Sequence, residues 1–326
     1  MSTSVVFGYG ITHCGKRSHN EDAFFVDNDL GLYMVADGVG GQDAGEIASK
    51  IVCQVLPERI RAGVAMADAV QEAHFAIANA ITKGQGKPGM ASTVVALLIR
   101  NDLYELAWLG DSRAYLWDGK LKLLSRDHSL VETLLAKGEI DLVQAQNHPQ
   151  KNIILAALGG GHANINVGQN AGVLRSGTQF LLCSDGLTDV VEPKRISEVL
   201  DQKLTAEQKS RMLVADANEE LGRDNITAIV VDILKAPKPV GELDDQVSVV
   251  RTYDPEKDEY VYHREAQVQV SSKIKKLAPL STDEALSSNE AAMQVNSVKT
   301  QKPAWLSWII LGCVVAAVLV ILMLRQ

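Results

Sequence analysis

Five short islands, in five different segments of the chain, each carry an acidic side chain among mostly small or polar residues. They are Arg17-Ser18-His19-Asn20-Glu21-Asp22, Asp37-Gly38-Val39-Gly40-Gly41, Gly110-Asp111-Ser112-Arg113, Ser184-Asp185-Gly186 and Asp224-Asn225-Ile226-Thr227. Two of them follow short apolar runs, GLYMVA at 31–36 and TQFLLC at 178–183. Each run reads as a buried strand ending in a tight turn, so Asp37 and Asp185 leave the sheet at an edge where a cation can be held. Asp-Gly alone is only a turn signal, and Asp118-Gly119, between YLW and KLKLL, is best explained as a hairpin turn. The company of the other islands is what points to metal. A folded body holds so many carboxylates in one place only if cations neutralise them, because like charges a few ångströms apart repel strongly.

The ligands on offer are all oxygen, which favours Mg²⁺ or Mn²⁺ over zinc. The four cysteines, Cys14, Cys53, Cys183 and Cys313, are far apart and form no metal or disulfide framework, which fits a reducing compartment. Two such ions about 3.5–4 Å apart, bridged by a carboxylate and a water, lower the pKa of that water for in-line attack on phosphorus. Arg17 is placed to clamp phosphate oxygens; the plainer expectation for it is a surface pair with Glu21.

Alternating strand and helix signals fill residues 5–235. Four short runs, STVVALLIR, DLYELAWLG, SRAYLWDG and KLKLLS, have the pattern of an antiparallel meander. Ala-rich helical periods flank it at 44–61 and 65–82, and a similar one covers 206–221. Hairpin strands with helices grouped before and after them predict an α+β fold of two antiparallel sheets covered by helices.

Beyond residue 235, APKPVGELDD and the Ser/Asn/Ala-rich 281–302 read as linker. The stretch 246–270 alternates about a charged turn and suggests a lone hairpin, which would be marginal by itself; the expectation is a partly ordered spacer over 236–302. From Trp305 to Leu324 there are twenty residues without a charge, enough for ~30 Å of hydrocarbon, so 303–326 is read as a transmembrane anchor. Lys299 and Lys302 precede it, only Arg325 follows, and the N-terminus carries no secretory signal; the large N-terminal part is therefore expected in the cytoplasm. A net charge of -8, with 22 Lys+Arg against 29 Asp+Glu over residues 1–235, argues against a nucleic-acid partner.

The ordered set R-x-x-N-E-D, D-G-x-G-G, A-S-T, G-D-S-R-x-Y-L, D-H-S, A-L-G, S-D-G-L-x-D and D-N-I-T resembles the metal-dependent protein phosphatases of the 2C type, in their bacterial form, over residues 5–235. The resemblance implies a central β-sandwich of two antiparallel sheets flanked by pairs of helices, and hydrolysis of phosphoserine and phosphothreonine by a water activated between two Mn²⁺ or Mg²⁺ ions. It further implies that Asp37 bridges both metals and the Gly38 carbonyl completes one, while Asp185 and Asp224 bind the other. Glu21 and Asp22 would hold metal-bound waters, Asp111 would join Asp185 at a third, weaker metal near a flap, and Arg17 would take the substrate phosphate. The implied partners are phosphorylated proteins, with a cognate Ser/Thr kinase or its substrates as candidates.

Three departures stand out. Val39 replaces the histidine that follows Asp-Gly in many eukaryotic members, Ala156 stands where an arginine is frequent, and GGHANINVGQN lacks the acidic residue expected in the flap. His128 is read as structural, capping the helix that begins SLVETLLAKG, and His13, His19 and His148 are read as structural too. The competing functional reading is an inactive relative that serves as a membrane-tethered phosphoprotein-binding module. A dead copy usually loses a metal ligand, and here every acid expected to bind the two central metals or their waters is present.

Overall fold

The computed structural model describes residues 4–40, 44–161, 164–220, 222–237 and 248–263. Two antiparallel sheets form its centre. One has seven strands in the order β1 (Val5–His13), β12 (Ile226–Lys235), β11 (Gln179–Cys183), β8 (Arg113–Trp117), β9 (Leu121–Leu123), β13 (Arg251–Asp254) and β14 (Glu259–Tyr262). The other has five, in the order β10 (Gly168–Val173), β7 (Leu103–Leu109), β6 (Val94–Arg100), β3 (Leu32–Ala36) and β2 (Ala23–Asp27). A two-residue pair, β4 (Gly38–Val39) with β5 (Ala91–Ser92), continues from the end of β3.

Alternation along the strands decides which residues fill which layer. Tyr33, Val35, Val95, Leu97, Leu106 and Trp108 of the smaller sheet meet Leu116, Phe180, Leu182, Ile229 and Val231 of the larger one in a buried core between the sheets. The opposite face of the smaller sheet (Leu32, Met34, Val94, Ala96) is covered by α1 (Ala44–Arg61) and α2 (Met66–Thr82). The outer face of the larger sheet (Leu181, Ala228, Val230) is covered by α6 (Pro193–Asp201) and α7 (Ala206–Glu220). The layers are thus helix, sheet, sheet, helix, as the sequence pattern predicts. Three short helices, α3 (Leu130–Lys137), α4 (Leu142–Gln146) and α5 (Asp185–Thr188), lie in the connections.

Four local expectations are corrected. The central four-strand run is not one meander: β6 and β7 pair in the small sheet, β8 and β9 pair in the large one, and Gly110-Asp111-Ser112 crosses between them. Gly110 takes φ +107°, and a side chain there would strike Thr93. Asp185 opens the single helical turn α5 rather than a tight turn. Ser129, not His128, caps α3: its side chain accepts from the Glu132 N–H. His128 turns instead to Gly110, accepting from its N–H through Nδ1 at 3.2 Å and donating its own backbone N–H to the Gly110 carbonyl at 2.8 Å.

The fourth correction concerns the 246–270 stretch. Its described part is no spacer but the hairpin of β13 and β14, which extends the large sheet past β9. Tyr253 and Val250 are buried in the core under α6, which gives the hairpin the apolar partner an isolated one lacks. No helix among the described residues is long and apolar enough to cross a membrane, and the anchor expected at 303–326 lies outside those residues.

Candidate active site

The five islands meet at one end of the sandwich, because strand direction brings their ends together. Asp22 precedes β2 and Asp37 follows β3, and these strands pair antiparallel with Ala23 opposite Ala36. Asp185 follows β11 and Asp224 precedes β12, which pair with Cys183 opposite Ala228. Asp111 sits on the crossover that carries the chain from one sheet to the other. Each sheet therefore delivers two carboxylates, and the crossover delivers a fifth.

Close backbone packing fixes these positions. Glycine at 38 lets the first turn of α1 come down onto the strand: a Cβ there would lie 2.2 Å from the Gly45 carbonyl oxygen and 2.6 Å from that of Glu21. Asp37 is held from both sides by Thr93, whose Oγ1 accepts the Asp37 N–H at 3.0 Å and whose N–H donates to the Asp37 carbonyl at 2.8 Å. Thr93 Oγ1 also lies 2.7 Å from Ser112 Oγ, which ties the Asp37 segment to the crossover bearing Asp111.

Asp22 is anchored through one oxygen. Its Oδ2 accepts from Ser184 Oγ at 2.8 Å and from Thr227 Oγ1 at 2.6 Å. Asn225 organises the loop before it, accepting the Glu21 N–H at 2.8 Å and donating to the carbonyls of Cys14 at 3.1 Å and His19 at 2.9 Å. Arg17 does not pair with Glu21. Its Nη2 lies 2.8 Å from Asp224 Oδ2, and its Nε donates to the Arg223 carbonyl.

Burial and mutual repulsion raise the acids' proton affinity. Burial first, then the charges of Asp22, Asp185, Asp111 and Asp224, hold the Asp37 carboxyl well above the ordinary carboxylate range. Burial, with Asp111 the largest neighbouring charge, pushes Asp185 up to about 8. Asp22 and Asp111 are each pushed up to about 6, again chiefly by burial. Perturbation of this kind in one cluster makes it a candidate functional site.

The donor set fits hard divalent cations. Asp22 Oδ1 and Asp111 Oδ1 are buried without a hydrogen-bond partner, which is costly for a carboxylate unless a cation meets it. All the gathered donors are oxygens, the chemistry that suits Mn²⁺ and Mg²⁺. Among the described residues no three His, Cys, Asp or Glu side chains close into a ready metal cage. The orphaned oxygens carry more weight than cage closure, because carboxylates repel one another until cations draw them in.

Several contributors have no role assignable from the sequence alone, although each lies in one of its motifs. Thr93, Ser112, Ser184, Thr227 and Asn225 hold the acids through side-chain bonds between segments far apart in the chain. Ser112, Ser184, Asn225 and Thr227 lie in the acidic islands and Thr93 in the A-S-T motif, and that placement is the one hint available in the sequence.

A two-sheet sandwich with buried carboxylates gathered at one end is the frame of a metal-dependent phosphohydrolase. A family profile for protein phosphatase 2C matches residues 9–223, and the chain belongs to that family. It is 35% identical over 230 residues to the serine/threonine phosphatase stp of Listeria monocytogenes, covering 66% of this chain and 91% of that protein. The Mycobacterium tuberculosis serine/threonine phosphatase PstP/Ppp superposes with a TM-score of 0.65 at 33% identity, covering 71% of this chain and all of that structure, 100%. The PstP catalytic domain in complex with 2 manganese ions matches with a TM-score of 0.65 at 31% identity, over 72% of this chain and 100% of that one. The chain is thus a phosphoprotein phosphatase of the 2C type.

Proposed function

We propose that this chain hydrolyses phosphoserine and phosphothreonine on proteins with the help of two Mn²⁺ or Mg²⁺ ions. The observation that carries the reading is the gathering of Asp22, Asp37, Asp111, Asp185 and Asp224 at one end of the sandwich, with two carboxylate oxygens buried and unpartnered. Asp37 and the Gly38 carbonyl would hold one ion, and Asp37, Asp185 and Asp224 the other. Glu21 and Asp22 would orient water around them, and Asp111 with Asp185 would hold a third, weaker ion. When bound, the metals supply positive charge that makes water a nucleophile at neutral pH and offsets charge on the phosphoryl oxygens.

The chain's own groups do the rest. Arg17, at the surface beside Asp224, swings from that carboxylate to the phosphate oxygens and fixes the phosphoryl group for in-line attack. Ser184 and Thr227 fix the rotamer of Asp22 so that its free oxygen faces the site. Val39 has no titratable group, so the leaving serine or threonine oxygen takes its proton from water.

The apolar run 305–324 supports a membrane tether with the catalytic part in the cytoplasm, which would raise the effective concentration of enzyme against phosphoproteins at that membrane. A cognate Ser/Thr kinase or its substrates are the natural targets there. Deleting 303–326 is expected to release the protein from membranes in a fractionation experiment; unchanged sedimentation would sink the tether. Phosphate release from a phosphothreonine peptide with Mn²⁺, with Mg²⁺ and with excess EDTA tests the activity. Turnover that survives EDTA would exclude the metal mechanism. No turnover from folded, metal-loaded protein would favour a phosphoprotein-binding role.

A further inference from the structure

The 248–263 hairpin lies beyond residues 9–223, the span matched by the family profile, yet it is wired into the folded body. Glu132, on the first turn of α3, is 2% exposed, and its carboxylate meets three groups. Arg251 Nη2 of the hairpin bonds one oxygen. The Tyr262 hydroxyl of the hairpin donates to the other at 2.7 Å, and Arg126 Nη1 lies 3.9 Å from it. The Arg126 and Arg251 guanidinia lie over the Tyr262 ring at 5.7 and 5.5 Å from its centroid. Without the hairpin, a buried carboxylate would lose its nearest cation and a hydroxyl donor.

Arg126 begins a three-residue segment, and each member makes a different tie. Arg126 Nη1 donates to the Tyr262 hydroxyl at 3.2 Å. Asp127 takes a forked pair from Arg113, with Nε at 3.0 Å and Nη2 at 2.7 Å from Oδ2. His128 is bonded to Gly110 through both its backbone N–H and its ring. Gly110 and Arg113 bracket Asp111, so the two ends of the crossover loop are both set by the segment that the hairpin grips.

We propose that the 248–263 hairpin is a positioning strap for Asp111, acting through Glu132 and the Arg126–Asp127–His128 segment. A strap of this kind makes the weakest metal site depend on an element outside the family core. The proposal rests on the reading of Asp111 as a metal-holding carboxylate given above. Glu132, Arg251 and Tyr262 are positioning residues, since none of them reaches the gathered carboxylates.

The test is made on the full chain, by Mn²⁺ titration calorimetry beside a thermal melt and kcat and KM for a phosphothreonine peptide. Arg251→Met leaves Glu132 buried beside one fewer cation, and is expected to weaken by about tenfold the Mn²⁺ equivalent that Asp111→Asn also weakens. Adding Glu132→Gln to Arg251→Met removes the stranded charge without restoring the tie, so the melting temperature is expected to recover while the weakened Mn²⁺ equivalent is not; recovery of both would overturn the strap. A lower melting temperature with an unaltered Mn²⁺ isotherm would overturn the strap and leave the hairpin a purely stabilising element. If Arg251→Met does not fold, Tyr262→Phe, which removes a single hydroxyl, is judged by the same isotherm. An Asp111→Asn chain with the wild-type isotherm would overturn the metal reading of Asp111 and the strap with it. An effect of Asp111→Asn without one of Arg251→Met or Tyr262→Phe overturns the strap alone.

Discussion

Arg17 and Asp224 hold each other at the mouth of the site, with Nη2 2.8 Å from Oδ2 and both side chains about half exposed, at 55% and 45%. An exposed pair of this kind adds little stability, and under the proposed function it would give way to stronger partners: phosphate for the arginine, a cation for the aspartate. Replacement Arg17→Ala is therefore expected to leave the melting temperature nearly unchanged and to raise KM for a phosphothreonine peptide. Arg17→Lys should restore charge but not the forked geometry, and so recover only part of the loss. Equal KM values for the three proteins would remove Arg17 from the phosphate site.

Asp37→Asn and Asp185→Asn should each abolish Mn²⁺-dependent phosphate release while the fold persists. Both side chains are buried among like charges, so neutralising either relieves repulsion in the metal-free chain. Circular dichroism melts run without metal should show midpoints equal to or above wild type. Retained turnover in either variant would displace that residue from the site.

Ser184→Ala and Thr227→Val each free one bond to Asp22 Oδ2. Losing such an outer partner costs about 10–100-fold in metal affinity. The Mn²⁺ concentration for half-maximal rate should rise by that factor, and saturating Mn²⁺ should restore most of the rate. A fall in kcat at saturating metal, with the half-activation point unmoved, would contradict the role given to these hydroxyls.

The raised carboxyls make the metal-stripped protein pH-sensitive. Asp185 goes from an ordinary 3.8 to about 8 in the folded chain, so folding is favoured by proton uptake at this group. That contribution is complete below pH 3.8 and is lost as pH rises through about 8. Asp22 and Asp111 add similar losses ending near 6. Melting midpoints in EDTA should therefore fall from about pH 4, where the unfolded carboxyls ionise, and level off near 8, and added Mn²⁺ should offset the fall, most strongly at the alkaline end. A midpoint that rises with pH over this range in EDTA would show that the cluster does not hold its protons.

A chain ending at Pro237 should be less stable than one ending at His263. It loses the buried Tyr253 and leaves Glu132 without Arg251, and breaking a buried ion pair on one side costs about 3–5 kcal/mol. Chemical denaturation of the two truncated proteins measures the difference. Equal midpoints would mean that the hairpin adds nothing to the stability of the core.

The acids themselves were legible in the sequence, because a carboxylate beside glycine at the end of an apolar run is a local pattern. So were the helices at 44–61 and 66–82 and the strands at 32–36 and 179–183, whose periodicity is carried by the residues within them. The division of four neighbouring strands between two sheets was not legible. β6–β7 and β8–β9 have the same hairpin pattern, and only packing decides that the chain changes sheets at Gly110. The hairpin at 251–262 is not legible as a stable element for a related reason: its stability comes from β9, from the core around Tyr253 and from Glu132, all distant in the chain.

Local sequence sets which groups are available for chemistry and, through alternation and periodicity, most of the elements that carry them. Tertiary structure alone decided how they are held. Thr93, Ser184, Asn225 and Thr227 act on acids up to 205 residues away, and Arg17 chose Asp224 over its neighbour Glu21. Hydrogen-bond partners, burial and the proton affinities that follow depend on which segments meet in space, and no local pattern encodes that meeting.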